Sequence, residues 1–164
     1  MRRAGSLSVV GANIDSSRDF TEMSARLHIT GEGSVLTLFR TGELMAYNEA
    51  EKHIYRLCAQ DESRHVAFGV MHLQYIGHSD TDRREEIQQY LDEAEQSLVN
   101  GAGQNPAARG LPSNAALAIL LGGGEDKMED GFNTLLAVRQ RQVKEYVQRV
   151  RVAGFGERRC DLPR

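Results

Sequence analysis

The chain has 164 residues, 40% hydrophobic and 26% charged, with a formal net charge of -3. That length suits one domain with a core of its own, while the acidic balance, with arginines scattered among acids, leaves no footprint for nucleic acid. No apolar run approaches the ~20 residues of a membrane span, the start MRRAGSLSVVGAN is too weakly apolar for a secretory signal, and Cys58 and Cys160 form neither a disulfide framework nor a zinc cluster. The expected compartment is the cytoplasm.

Residues 1–18 read as an irregular segment, since GSLSVVGANI alternates too briefly and is too glycine-rich for a strand. A first helix is expected from Asp19, whose carboxylate caps with Glu22 three residues on, to about Met45. A second begins at the Asn48 cap, with Glu51 in the matching position, and runs to Ile76. Gly77 to Asp80 reads as a break. Asp82 with Glu85 then caps a third helix in which Ile87, Tyr90, Leu91, Ala94 and Leu98 recur at helical spacing. NGAGQNPAARGLP is the strongest loop signal in the chain. Residues 113–121 form a short apolar helix ended by Gly122, Gly123 and Gly124, a triplet that suggests a flexible joint and lacks the lysine and Ser/Thr of a phosphate loop. The last helix spans Asp126 to Val152, with Phe132, Leu135, Leu136, Val143, Tyr146, Val147 and Val150 on its apolar face and Glu145 and Arg149 paired outside. Residues 154–164 read as a loose tail. The expected fold is therefore all-α: one helical domain over 19–153, made of a long hairpin (19–76) and covering helices (80–153).

The stretch CAQDESRHVAFG places charge inside the second helix. Glu62 and His65 share a face with Cys58, Gly69 and His72. An unpaired buried carboxylate is costly, and a metal ion is one partner that relieves it. Glu-x-x-His on a helix lets a carboxylate oxygen and an imidazole nitrogen converge on one ion. A second carboxylate, Glu32, sits in ITGEGSVLTLF where the pattern with Ile29, Val35, Leu36 and Phe39 wants a hydrophobe. The flanking Gly31 and Gly33 each cost up to ~1 kcal/mol in a helix interior, which points to close approach by a neighbour. Glu32 and Glu62 are equidistant from the turn at Tyr47 and Asn48, so an antiparallel hairpin sets them at one level, each about 22 Å from the turn. The competing reading is a solvated, salt-bridged face opposite Leu57, Val66, Ala67 and Val70. His28, His53, His72 and His78 read as core-edge or surface histidines, His72 being the one near enough to support His65. Cys58 reads as a small buried hydrophobe.

DESRHVAFG, preceded about thirty residues upstream by the GEG-centred helix, resembles the ferritin-like di-iron carboxylate superfamily of oxygenase and oxidase type, which includes the ribonucleotide reductase small subunit and acyl-carrier desaturases. The likeness covers residues 24–76. It implies a ferritin-like helical bundle in which Glu32, Glu62 and His65 are metal ligands of two iron ions, or of manganese. It further implies that Asp61 holds a ligating histidine of the partner motif, that Arg64 balances Asp61, and that Cys58 flanks the site. The implied activity is activation of dioxygen to oxidise a small organic substrate. No other Glu-x-x-His occurs, and residues 1–18 do not supply the two further ligand helices of that family. Either the chain is part of a longer one, or two copies pair as a homodimer that completes the metal site, each Asp61 reaching the other copy's His65. The alternative is a non-catalytic α-helical interaction or structural protein that keeps the fold without metal, with iron storage a third reading.

Overall fold

The computed structural model describes residues 16–104 and 111–156, and every regular element among them is helical. Five helices follow one another. The first, α1, joins three segments without leaving helical dihedrals: Phe20–Ser24, a π-helical stretch Ala25–Glu32, and Gly33–Met45. Then come α2 (Glu49–Ser79), α3 (Thr81–Gln104), α4 (Leu111–Gly122), a short 3-10 turn Glu125–Lys127, and α5 (Met128–Val152). Among the described residues no helix is long and apolar enough to cross a membrane. The expectations for residues 1–15, for the centre of the loop at 105–110, and for 157–164 with Cys160 lie outside the described residues, as does the side chain of Leu98.

Local bonds place the first two helix starts as expected. Asp19, with extended backbone, accepts Glu22 N–H at 2.9 Å, and Glu22 accepts Arg18 N–H at 2.8 Å. At α2, Asn48 accepts Glu51 N–H at 2.9 Å while Glu51 accepts Tyr47 N–H at 3.1 Å. Each pair satisfies two helix-end donors that would otherwise stay open.

The third start differs from expectation. α2 continues through Gly77 to Ser79, the break shrinks to Asp80, and Asp80 rather than Asp82 caps α3 by accepting Arg83 N–H at 3.1 Å. Gly77 lies within the helix and serves packing there: a side chain would collide with Phe155, whose ring comes within 2.7 Å of the Cβ position. Phe155 in turn corrects the loose tail: it is 1% exposed, a core residue under the Arg84 guanidinium, 4.8 Å from its ring centre. The expected loop also narrows, since α3 extends to Gln104 and α4 begins at Leu111.

The main core gathers Ala25 and Ile29 of α1, Leu73 of α2, Ile87, Tyr90 and Leu91 of α3, and Tyr146 and Val150 of α5, with Ala153 and Phe155 beyond. A second cluster, Leu36, Ala59 and Val66, seals the α1–α2 hairpin. α5 lies on α1, and α4 lies on α5. The triple glycine forms a closely packed joint, a Cβ at Gly122 standing 2.3 Å from the Lys127 carbonyl oxygen. Gly123 and Gly124 turn the chain with positive φ, and Gly131 of α5 sits so close to α4 that a Cβ would stand 1.7 Å from the Ala118 carbonyl oxygen.

The buried stripe of α5 is Gly131, Leu135, Val138, Gln142, Tyr146 and Val150. Phe132, Leu136 and Val147, expected inside, are exposed. Glu145 and Arg149, expected outside, turn inward. Glu145 accepts from Thr37 at 2.6 Å and pairs with Arg141, and these bonds hold its carboxyl below the usual range despite its burial. Arg149 lies over Gly33, its guanidinium lowered in pKa by burial. A close glycine and a satisfied glutamine beat larger apolar residues because the neighbouring helices, not α5 itself, choose the face.

Candidate functional site

The π segment of α1 carries the first group. Its hydrogen bonds span five residues instead of four, a device frequent at functional sites. Thr30 Oγ1 follows that span, donating to the Ala25 carbonyl at 3.2 Å. Where the span returns to four, a carbonyl is left short of a donor, and Arg149 Nε reaches in from α5 to donate to Ile29 O at 3.3 Å. Gly33 makes that approach possible, because a Cβ there would stand 2.4 Å from the guanidinium. Gly31 meets nothing closer than 3.7 Å, so of the two glycines only Gly33 admits a neighbour.

Glu32 ends the π segment and faces α2, as hairpin geometry requires. Its Oε1 lies 4.0 Å from His65 Nδ1, and Glu62 Oε2 lies 3.5 Å from the same nitrogen. The structure thus brings Glu32, Glu62 and His65 to one level of the hairpin. Asp61 and Arg64 point elsewhere: they pair with each other on the exposed side of α2, so the acid that Arg64 balances is not buried within this chain. Cys58 is half-buried one turn before Glu62.

His28 is the residue that sequence reasoning missed. By sequence it reads as a core-edge or surface histidine, yet its Nε2 lies 3.9 Å from Glu32 Oε2. Its Nδ1 is 3.1 Å from Ser24 Oγ, and its Cβ packs on Gly69, where a methyl group would stand 2.4 Å away. Gly69 was the signal: it and His28 are almost equally far from the turn. His72, expected to support His65, instead meets Thr21 Oγ1 at 3.1 Å. Phe20, Phe68, His28 and His72 stack edge to face as an aromatic wall beside the carboxylates.

The electrostatics are those of a site short of positive charge. Burial raises the Glu32 carboxyl pKa above its usual value, with nearby His65 opposing; burial also raises Glu62, and the Glu32 charge adds to it. Burial lowers His28, and His65 adds to that shift, which favours the neutral imidazole. Glu22 makes the contrast: it is more enclosed still, but Arg18 at 3.2 Å and Arg26 at 2.7 Å pair with it. Glu32 Oε2 is buried with no hydrogen-bond partner.

Donors bound ~2.1 Å from one ion stand about 3.0–3.4 Å apart, against 3.5–4.0 Å for the contacts here. Among the described residues no three His, Cys, Asp or Glu side chains converge tightly enough to hold an ion as they stand. The donor chemistry fits a hard or intermediate divalent cation such as iron or manganese, and the donors stand too far apart by up to about one ångström. No family model, no curated protein and no solved structure matches this chain.

Proposed function

We propose that the hairpin is one half of a ferritin-like metal centre, with Glu32, Glu62 and His65 as the protein's metal donors and His28 beside them, serving oxidation of a small organic substrate by dioxygen. The observation that carries this reading is the buried, unpartnered Glu32 Oε2 facing a second desolvated carboxylate and two imidazoles. A cation there satisfies the orphan oxygen and removes the repulsion between the acids. Iron would supply the reduction of dioxygen, with electrons from an external donor. The chain's own groups do the rest. Two carboxylates balance the metal charge, and His65 presents Nδ1 toward them. Ser24 fixes the His28 ring, and the wall of Phe20, Phe68 and His72 limits water on one side.

His65 is 57% exposed, so one chain leaves the site open. This openness favours the second reading, a metal-free interaction protein. Anaerobic titration with ferrous iron, followed by metal analysis of the gel-filtered protein, separates the two. Wild type should retain iron, and Glu32→Gln and His65→Ala should lose about tenfold or more in affinity. Wild type that retains no iron, or equal retention by all three proteins, would defeat the metal reading.

A further inference from the structure

α2 uses two faces. Toward α1 it buries Ala59, Val66, Gly69 and Leu73. On its other side it exposes Ile54, Leu57, Phe68, Met71 and Tyr75, each between 47% and 72% accessible; Phe68 stands at the edge of this stripe, where one side of its ring touches Phe20 and His28 of α1 and the rest is open. These five fall into one register. Ile54, Asp61, Phe68 and Tyr75 follow one another at intervals of seven, and so do Leu57, Arg64 and Met71. This is an a/d seam of the kind that buries itself against another helix. It runs about 32 Å along α2, and its single polar layer is the exposed Asp61–Arg64 pair at its middle.

We infer that this seam is the interface of a homodimer in which the α2 helices of two copies pack antiparallel about a two-fold axis between Glu62 and Ser63. An antiparallel seam sets a positions against d positions. With that axis, Ile54 meets Met71 of the second copy, Leu57 meets Phe68, and Asp61 meets Arg64, each contact occurring twice. The charges choose the direction. A parallel pair would set Asp61 against Asp61 and Arg64 against Arg64, and a slip of one heptad would bury both charges against apolar side chains. Only the antiparallel pairing in this register satisfies the polar layer and leaves every other layer apolar. A buried polar layer specifies register in this way at some cost in stability.

The occupant is therefore a second copy of this chain, because the stripe is complementary to itself in shape and charge. The inference rests on the stripe and not on the metal reading, so the two fail separately. It differs from the pairing that the family resemblance implies, since Asp61 would meet Arg64 of the second copy rather than His65. It also carries the two His65 side chains to the same flank of the seam, offset by about 7–8 Å along the axis.

The test is the solution mass of the full 164-residue chain, by sedimentation equilibrium at micromolar concentrations without added metal. Wild type should weigh two chains. Asp61→Arg alone sets arginine against arginine, and Arg64→Asp alone sets aspartate against aspartate, so each should weaken dimerisation about tenfold or more. An equimolar mixture of the two variants should dimerise again, because every cross-contact in the mixed pair joins opposite charges. Both positions are solvent-exposed within one chain, and far-UV circular dichroism checks that each variant remains helical. A wild-type monomer, a dimer indifferent to both charge reversals, or a mixture that stays monomeric would each overturn the inference.

Discussion

Replacing Glu32 with Gln isolates the charge of the site from its shape, since amide and carboxylate are nearly isosteric. The Glu32 side chain is only 19% exposed, and its Oε2 has no partner. Burial raises its carboxyl pKa, and the Glu32 charge helps to raise Glu62. A carboxyl raised in the folded state contributes stability that is fully present below its unfolded value, near ~4.3, and that is lost as pH rises through its folded value. These two carboxyls should thus take stability from the metal-free protein as pH rises toward neutrality, against the opposite contribution of Asp19 and Glu145, whose carboxyls are held low. Glu32→Gln removes its own share of that loss and lessens the share of Glu62. Leaving a buried polar group unsatisfied costs about 1–3 kcal/mol; with His65 nearby and some solvent access, we expect a gain of about 1–2 kcal/mol in the mildly alkaline range. For a chain of this size that is about 3–6 °C in Tm. The assay is thermal unfolding followed by circular dichroism in chelator, at mildly alkaline pH and again below the carboxylate range. The gain should vanish at the acid end, and in ferrous iron its sign should reverse. An unchanged or lowered Tm in alkaline chelator, or a gain of equal size at both pH values, would refute the electrostatic account.

Two packing predictions follow from the close approaches. Gly131→Ala places a methyl group on the Ala118 carbonyl oxygen, and the resulting separation of α4 from α5 should cost about 2–3 kcal/mol in spite of alanine's better helix propensity. Gly31→Ala, whose methyl group would make only ordinary van der Waals contacts at 3.7 Å and beyond, should raise stability by up to about 1 kcal/mol; equal behaviour of the two variants in urea unfolding would contradict the packing described. Phe155→Ala empties a fully buried position between Gly77 and Arg84, and should cost about 3–5 kcal/mol. A negligible shift of the urea midpoint would mean that Phe155 is not core.

What was legible in the sequence is what local chemistry decides. Asp19 with Glu22 and Asn48 with Glu51 announce helix starts because the bonds they make join residues three or four apart. The level of Glu32 against Glu62 and His65 was legible for a related reason: a tight turn at Tyr47 and Asn48 makes distance along the chain equal to height in the hairpin. The inward face of α5 was not legible, because Gly131 and Gln142 are buried by what α4 and α1 present to them. Hydrophobicity alone chose Phe132, Leu136 and Val147, which face solvent instead. The π segment was equally hidden, since its widened turn shows in no residue type, and with it went the placing of His28.

α2 does not look like a surface helix. A helix covering one side of a domain shows one apolar stripe and a charged back, whereas α2 buries Ala59, Val66, Gly69 and Leu73 on one side and carries large apolar residues on the other as well. Charge interrupts that second stripe only at Asp61 and Arg64. These lie at the level of Glu62 and His65, so whatever covers the stripe also lowers the water access of the open side of the carboxylate–histidine cluster. Covering strengthens every electrostatic interaction in the cluster, the repulsion between Glu32 and Glu62 included. In the antiparallel pairing the cover is a second α2, which brings another Glu32, Glu62 and His65 to the same flank. Because Glu32 and Glu62 lie on the α1-facing side of α2, each copy would keep its own cluster, and pairing would act on it by limiting water rather than by lending side chains; cation uptake and assembly would then be linked only through that change of environment.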